Sequence, residues 1–260
     1  MTLEDSRAYF QFLANMGLTK HIGSMQATRE LLDLCHIGRE AGQVVLDVGC
    51  GVGATPVYLA KRYDARIVAV DLLEKMVRQA RVRAKEEEVT ERIAFTAADA
   101  RILPFEDGVF DAVITESVNV FFDDKEQAIR EYARVTKPGG YVGLTEMTWM
   151  TTPLPETAAY YKRAVYADTL EAEEWESLLK RAGLQEIVGH AHEVDMTTEG
   201  RGRLQRYGCL GFLRVLGNLF VMILKDRASR AFLGDVMTTI PKDIMKDMGY
   251  GIYVGRKGSA

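Results

Sequence analysis

Apolar residues gather into short continuous runs along the chain, and between these runs they recur at helical spacing. The first run, VVLDV at 44–48, reads as a buried strand and ends at an acidic residue and three glycines at alternate positions, Gly49, Gly51 and Gly53. Val57, Leu59 and Ala60 then carry the pattern of a helix. Further strands are expected over 65–70, 92–96, 110–115 and 141–146, the last after the turn Pro138-Gly139-Gly140. Helices are expected over 73–88, with Met76, Val77, Ala80 and Ala84 inward, and over 125–135. Upstream, Ser24 is placed to cap a helix bearing Leu31, Leu32 and Cys35 that leads to the turn at Gly42. Downstream, a helix over 171–182 precedes strands at 186–194 and 249–255. Strands alternating with helices predict an α/β fold: a parallel sheet with right-handed crossovers and helices on both faces.

Composition narrows the setting. At 260 residues and 47% hydrophobic, the chain can bury a full core as one domain with an elaborated lobe. A net charge of −4 and a pI of 5.7 offer no nucleic-acid footprint. The opening MTLEDSRAYF lacks a basic region leading into an apolar core, so no signal or transit peptide is expected. The longest apolar stretch, 209–224, is broken by Arg214 and Asn218 and is too short to span a membrane. A cytoplasmic protein is the expectation. Cys35, Cys50 and Cys209 are odd in number and lack CxxC spacing, which argues against disulfides and a structural zinc site, and no metal is expected.

The glycine loop carries the chemistry. Backbone N–H groups without side chains, followed by a helix N-terminus, suit a nucleotide-type cofactor. Gly49, Gly51 and Ala54 satisfy a GxGxxG/A spacing, and Asp71, 20 residues beyond Gly51, ends the second strand where a ribose-binding acid belongs. A dinucleotide fits this pattern as well as other nucleosides do.

Four segments, VLDVGCGVGATPVYLA, VAVDLLEKMVRQAR, AADARILPFEDGVFDAVIT and EYARVTKPGGYVGLTE, occur in the order and spacing of one family. The chain resembles the class I S-adenosylmethionine-dependent methyltransferases, of the small-molecule, type 11 and phosphoethanolamine-methyltransferase-like kind, over residues 20–150 and again at the final GIYVGRK. The resemblance implies a Rossmann-like seven-stranded methyltransferase sheet with a helical insert before the last strand. It implies S-adenosyl-L-methionine as cofactor and a small-molecule methyl acceptor (a metabolite, an amine or a lipid-like compound). It also implies a division into an N-terminal helical lid at 1–43, a cofactor-binding core at 44–150, and the end of the sheet with an acceptor cap at 151–260, the insert being 195–248.

Within that resemblance, Asp71 takes the ribose hydroxyls. Asp99 takes the adenine amino group, with Ala98, Ala100 and Ile102 covering the ring, and Asp47 faces the methionine end. Gly49, Cys50, Gly51, Gly53, Leu72, Met76 and Glu116 complete the expected cofactor set. The segment HIGSMQATRELL resembles a lid over the cofactor, which makes His21 a lid residue and a candidate general base beside Glu116, while it reads equally as a plain surface or capping histidine.

Methyl transfer from a sulfonium is an in-line displacement that needs alignment and exclusion of water, and a base only for a hydroxyl or carbon acceptor. Glu116, Ser117, Asn119 and Glu146 sit at the carboxyl ends of the fourth and fifth strands, where ligands bind in such sheets. Phe121, Phe122, Trp149, Tyr160 and Tyr161 are candidate pocket walls, although such residues are more often core, and Glu116 reads equally as a solvated strand-end acid. The insert, rich in Leu213, Leu216, Leu219, Phe220, Ile223 and Leu224, suits an acceptor cap, a homodimer interface or contact with a lipid substrate. Arg201, Arg203 and Arg206 before it are candidates for an anionic acceptor group or a solvated basic face. Three other functions stay open: a cofactor-binding sensor or assembly subunit without turnover, a nicotinamide oxidoreductase, and a metalloid methyltransferase using the cysteines.

Overall fold

The computed structural model describes residues 23–164, 166–194 and 247–259, with Gly217. Helix α1 (Ser24–Leu34) precedes β1 (Gln43–Val48), α2 (Ala54–Arg62), β2 (Ala65–Asp71), α3 (Glu74–Glu86), β3 (Ile93–Ala97) and β4 (Phe110–Glu116). After a 3-10 turn at Asn119–Phe121 come α4 (Lys125–Val135), β5 (Thr136–Trp149) and α5 (Pro155–Ala164). The two-residue β6 (Leu170–Glu171), α6 (Ala172–Arg181), β7 (Leu184–Glu193) and β8 (Met248–Lys257) complete the described elements.

The strands lie in the order β3-β2-β1-β4-β5-β8-β7, with β6 paired to β5. The first five are parallel to their neighbours, and β8 runs antiparallel to both β5 and β7. This is the expected seven-stranded α/β sheet, widened by β6. The central strands are mostly apolar because both faces are covered. In β4, Ala112 and Ile114 join Leu31, Leu32, Leu59 and Ile252 on the side of α1 and α2, while Val113 joins Ile129, Tyr132 and Trp175 beneath α4 and α6. Met76, Val77, Ala80 and Ala84 are the buried residues of α3, as their spacing required.

Element ends depart from the sequence reading by no more than two residues, except at β5. That strand was expected only over 141–146 but runs over 14 residues, because Lys137-Pro138-Gly139-Gly140 is absorbed as a bulge. Phe110 pairs with Thr136 and Ala112 with Tyr141, so the register jumps across the insertion. A Cβ on Gly140 would lie 2.6 Å from the Asp111 carbonyl oxygen, which restricts the bulge to glycine there. The cap of α1 also differs: Gly23, at φ 90°, is the N-cap, and Ser24 is the first helical residue, its Oγ accepting from the Gln26 N–H at 3.3 Å.

The strand order reverses between β1 and β4, so the loops that follow these two strands diverge and open a crevice at the carboxyl edge. Among the described residues no helix is long and apolar enough to cross a membrane. The apolar run 209–224 and almost all of the insert 195–248 lie outside the described residues.

Candidate cofactor site

The crevice is floored by the loop after β1. Its first two N–H groups, from Gly49 and Cys50, donate to the Val70 carbonyl at 2.8 and 2.9 Å, which ties the loop to the end of β2. Gly49 has φ 76°, and a Cβ there would lie 2.3 Å from Val118 Cγ2. The loop therefore passes directly beneath the turn that follows β4. Cys50 is buried, and burial, then Asp47 and Asp71, push its thiol up, which leaves it protonated and a poor nucleophile.

Asp71 ends β2 and braces two segments at once. Its Oδ2 accepts from the Gly51 N–H at 2.9 Å and its Oδ1 from the Leu73 N–H at 2.9 Å. Burial raises its carboxyl, against the pull of those two N–H groups. Each oxygen keeps a lone pair for a further donor. Leu72 is half-buried beside it, and Met76 packs with Val52 and Leu73 under the loop.

Asp47 is buried at 2% exposure, and among the described residues its Oδ2 has no hydrogen-bond partner. Burial, then Glu116, then Asp71 push its carboxyl well up. An acceptor oxygen left bare in such a place fits a cationic or hydrogen-donating ligand group. Glu116, at the end of β4, is gripped by two hydroxyls: Thr28 on α1 donates to Oε2 at 2.7 Å and Thr55 on α2 to Oε1 at 2.6 Å. The carboxylate thus joins the sheet edge to the helix that precedes the sheet.

Asp99 lies in the loop after β3 and holds Arg101 in a two-point pair, at 3.0 Å to Nε and 2.6 Å to Nη2. The Arg101 hydrogen bonds hold its carboxyl below the usual range, although partial burial opposes them. Ala100 is buried, while Ile102 is 73% exposed, an apolar side chain left in solvent beside the acid.

The second half of the crevice rests on Glu146 of β5. This fully buried carboxylate accepts through Oε1 from the Asn119 N–H at 2.8 Å, Asn119 Nδ2 at 2.8 Å and the Val118 N–H at 3.1 Å. The Tyr132 hydroxyl donates to Asn119 Oδ1 at 3.1 Å. Glu146 Oε2 has no partner among the described residues, and burial pushes the carboxyl up to about 7, against those hydrogen bonds. Glu146 therefore fixes the turn whose Val118 side chain closes over Gly49. Ser117, at φ 58°, is buried at the start of that turn, and its N–H donates to the Thr145 carbonyl at 2.7 Å.

Sequence reasoning placed Glu146 near the site, but its burial and its grip on Asn119 left no mark in the local pattern. Of the two readings open for the aromatics, pocket wall or core, three of them follow the second. Trp149, Tyr160 and Tyr161 are buried, Trp149 donating its Nε1–H to the Thr169 carbonyl at 2.9 Å and packing edge-on against Tyr161 at 5.2 Å. They serve as core because α5 folds back over the end of β5. Phe122 instead lies 6.0 Å below the Arg101 guanidinium. His21, Cys209 and Arg201, Arg203 and Arg206 lie outside the described residues.

The donor set suits a nucleoside cofactor such as S-adenosylmethionine: acidic acceptor oxygens at strand ends, a bare loop backbone, and an exposed aliphatic side chain beside an acid. A family model described as "Methyltransferase domain" matches residues 46–144, which contain Asp47, Asp71, Asp99 and Glu116. Phosphoethanolamine N-methyltransferase 3 of Arabidopsis thaliana is 30% identical over 167 residues, 64% of this chain and 33% of that protein. The chain spans about a third of the length of the plant relatives it matches. Among solved structures, the [4+2]-cyclase SpnF superposes with a TM-score of 0.74 at 22% identity, covering 96% of this chain and 95% of the other. A methyltransferase of Geobacter sulfurreducens in complex with S-adenosyl-L-homocysteine gives 0.69 at 20% identity, covering 94% and 96%. At such identities the structures speak for the fold alone. The methyltransferase domain model thus lies over the glycine loop and its acids, and in that region the chain is similar to the class I S-adenosylmethionine-dependent methyltransferases.

Proposed function

We propose that this chain moves the methyl group of S-adenosylmethionine onto a small-molecule acceptor bound above the turn 117–121. The observation that supports this most is the convergence of Asp47, Asp71 and Glu116 around a loop whose first glycine accepts no side chain. In this reading Asp71 takes the ribose hydroxyls, Asp99 with Ala100 and Ile102 the adenine, and Asp47 with its bare oxygen the ammonium group at the methionine end. Leu72, Met76, Gly49, Cys50, Gly51 and Gly53 shape the cradle. The bound cofactor supplies an electrophilic methyl group, and the protein's part is to hold the acceptor in line with it and keep water out.

Glu116 orients the reacting ends and links them to α1, whose Thr28 it holds, so closure of the N-terminal segment and occupancy of the site are coupled. His21 belongs to that segment as a lid residue, and 195–248 is the acceptor cap or a homodimer face. An amine is the first acceptor class to test, because one relative is a phosphoethanolamine N-methyltransferase and an amine needs no strong base.

The test is calorimetric titration of the whole protein with S-adenosylmethionine, S-adenosylhomocysteine and NAD in parallel. Micromolar binding of the first two, followed by methyl transfer in an amine and lipid-precursor screen, is the expected result. Binding of NAD alone overturns the reading, and tight binding with no acceptor turned over favours a sensor.

A further inference from the structure

At the edge of the sheet beside α1, three side chains able to ligate a metal converge from distant parts of the sequence. Glu30 stands on α1, and His190 and His192 stand two residues apart on the edge strand β7, so the two imidazoles leave the same face of that strand. His190 Nδ1 lies 2.6 Å from Glu30 Oε1. His192 Nε2 lies 3.3 Å from Glu30 Oε1 and likewise 3.3 Å from Oε2. All three donor atoms fall within 4.8 Å of one another, the one such group among the described residues.

We propose that Glu30, His190 and His192 form a binding site for a divalent transition cation of the zinc type, separate from the cofactor crevice. Two imidazoles and a carboxylate are a donor set that suits such ions. Bond lengths of about 2.0–2.1 Å in a tetrahedron place donors about 3.3 Å apart. The His192 pair already has that spacing, and the His190 pair reaches it by opening about 0.7 Å.

The site is partly open and partly braced. His190 is 46% exposed and leaves room for water as the remaining ligand. The His192 ring is stacked on Tyr250 of β8 at 5.0 Å and 25°, which fixes its orientation. Tyr250 in turn packs within 3 Å of where a Cβ on Gly23 would lie, at the start of α1. A bound cation would clamp α1 to the sheet edge, and α1 is the helix whose Thr28 holds Glu116.

The experiment uses the full chain, freed of any polyhistidine tag, stripped by chelation and titrated with Zn2+ alone, then with Co2+ as a spectroscopic probe. One equivalent of Zn2+ is expected, with a visible Co2+ band of a low-coordinate site. His190→Ala and His192→Ala each weaken Zn2+ by at least on the order of 10- to 100-fold, the range that loss of even an outer partner produces. Glu30→Gln, isosteric, does the same with less demand on folding, and far-UV circular dichroism checks each variant. A wild type without stoichiometric Zn2+ below millimolar concentration overturns the proposal, and so does equal affinity in all four proteins.

Discussion

Replacing Glu146 with Gln isolates the energetic cost of a buried charge at the back of the crevice. The Glu146 carboxyl is fully buried, three N–H groups converge on Oε1, and Oε2 lacks a partner among the described residues, so Oε2 is where a proton resides. Burial lifts the carboxyl from its ordinary 4.5 to about 7 in the folded protein. The folded value lies above the unfolded one, so the native state binds the proton more tightly. The stability this confers is complete below about 4.5 and is lost as pH rises through about 7. The gap between the two values, at about 1.4 kcal/mol per pH unit, is about 3 kcal/mol. Glu146→Gln keeps the acceptor for Asn119 and resembles the protonated acid, so its stability does not fall over that window. Urea unfolding of both proteins at pH 5, 6, 7 and 8 measures the difference. The wild type should lose roughly 1 M in midpoint relative to the variant between pH 5 and 8, at a slope of about 3 kcal/mol per molar. Parallel profiles refute the reasoning, since Glu146 would then be ionised throughout.

Two further outcomes concern the cofactor crevice. Asp71→Ala should weaken S-adenosylmethionine binding by about 1–3 kcal/mol, or about 5- to 150-fold, measured by calorimetry; unchanged affinity removes Asp71 from the ribose. Glu116→Gln should spare cofactor binding while slowing turnover of whichever acceptor the screen finds, and equal turnover in the two proteins takes Glu116 out of the mechanism.

The alternation of apolar runs and helical spacing was enough to order β1 to β5 with their helices, because strands buried on both faces must be apolar along their length. The glycines and Asp71 were equally plain: a loop that lets backbone approach a ligand needs glycine, and an acid at a strand end shows at a fixed distance along the chain. The bulge in β5 was not legible, since Pro138-Gly139-Gly140 reads as a turn until the register with β4 is known. What only the tertiary structure decided is what each side chain meets. Asp47 and Glu146 owe their raised carboxyls to the absence of water around them, and absence of water is a property of the packed layers. Thr28 reaches Glu116 across 88 residues, and His190 reaches Glu30 across 160, because β7 lies at the sheet edge beside β8 while α1 packs on β5 and β8. Sequence determined which groups the protein owns and the elements that carry them. The strand order then brought those groups within bonding distance, because a hydrogen bond or a metal ligand set is defined by ångströms in space, which chain separation does not encode.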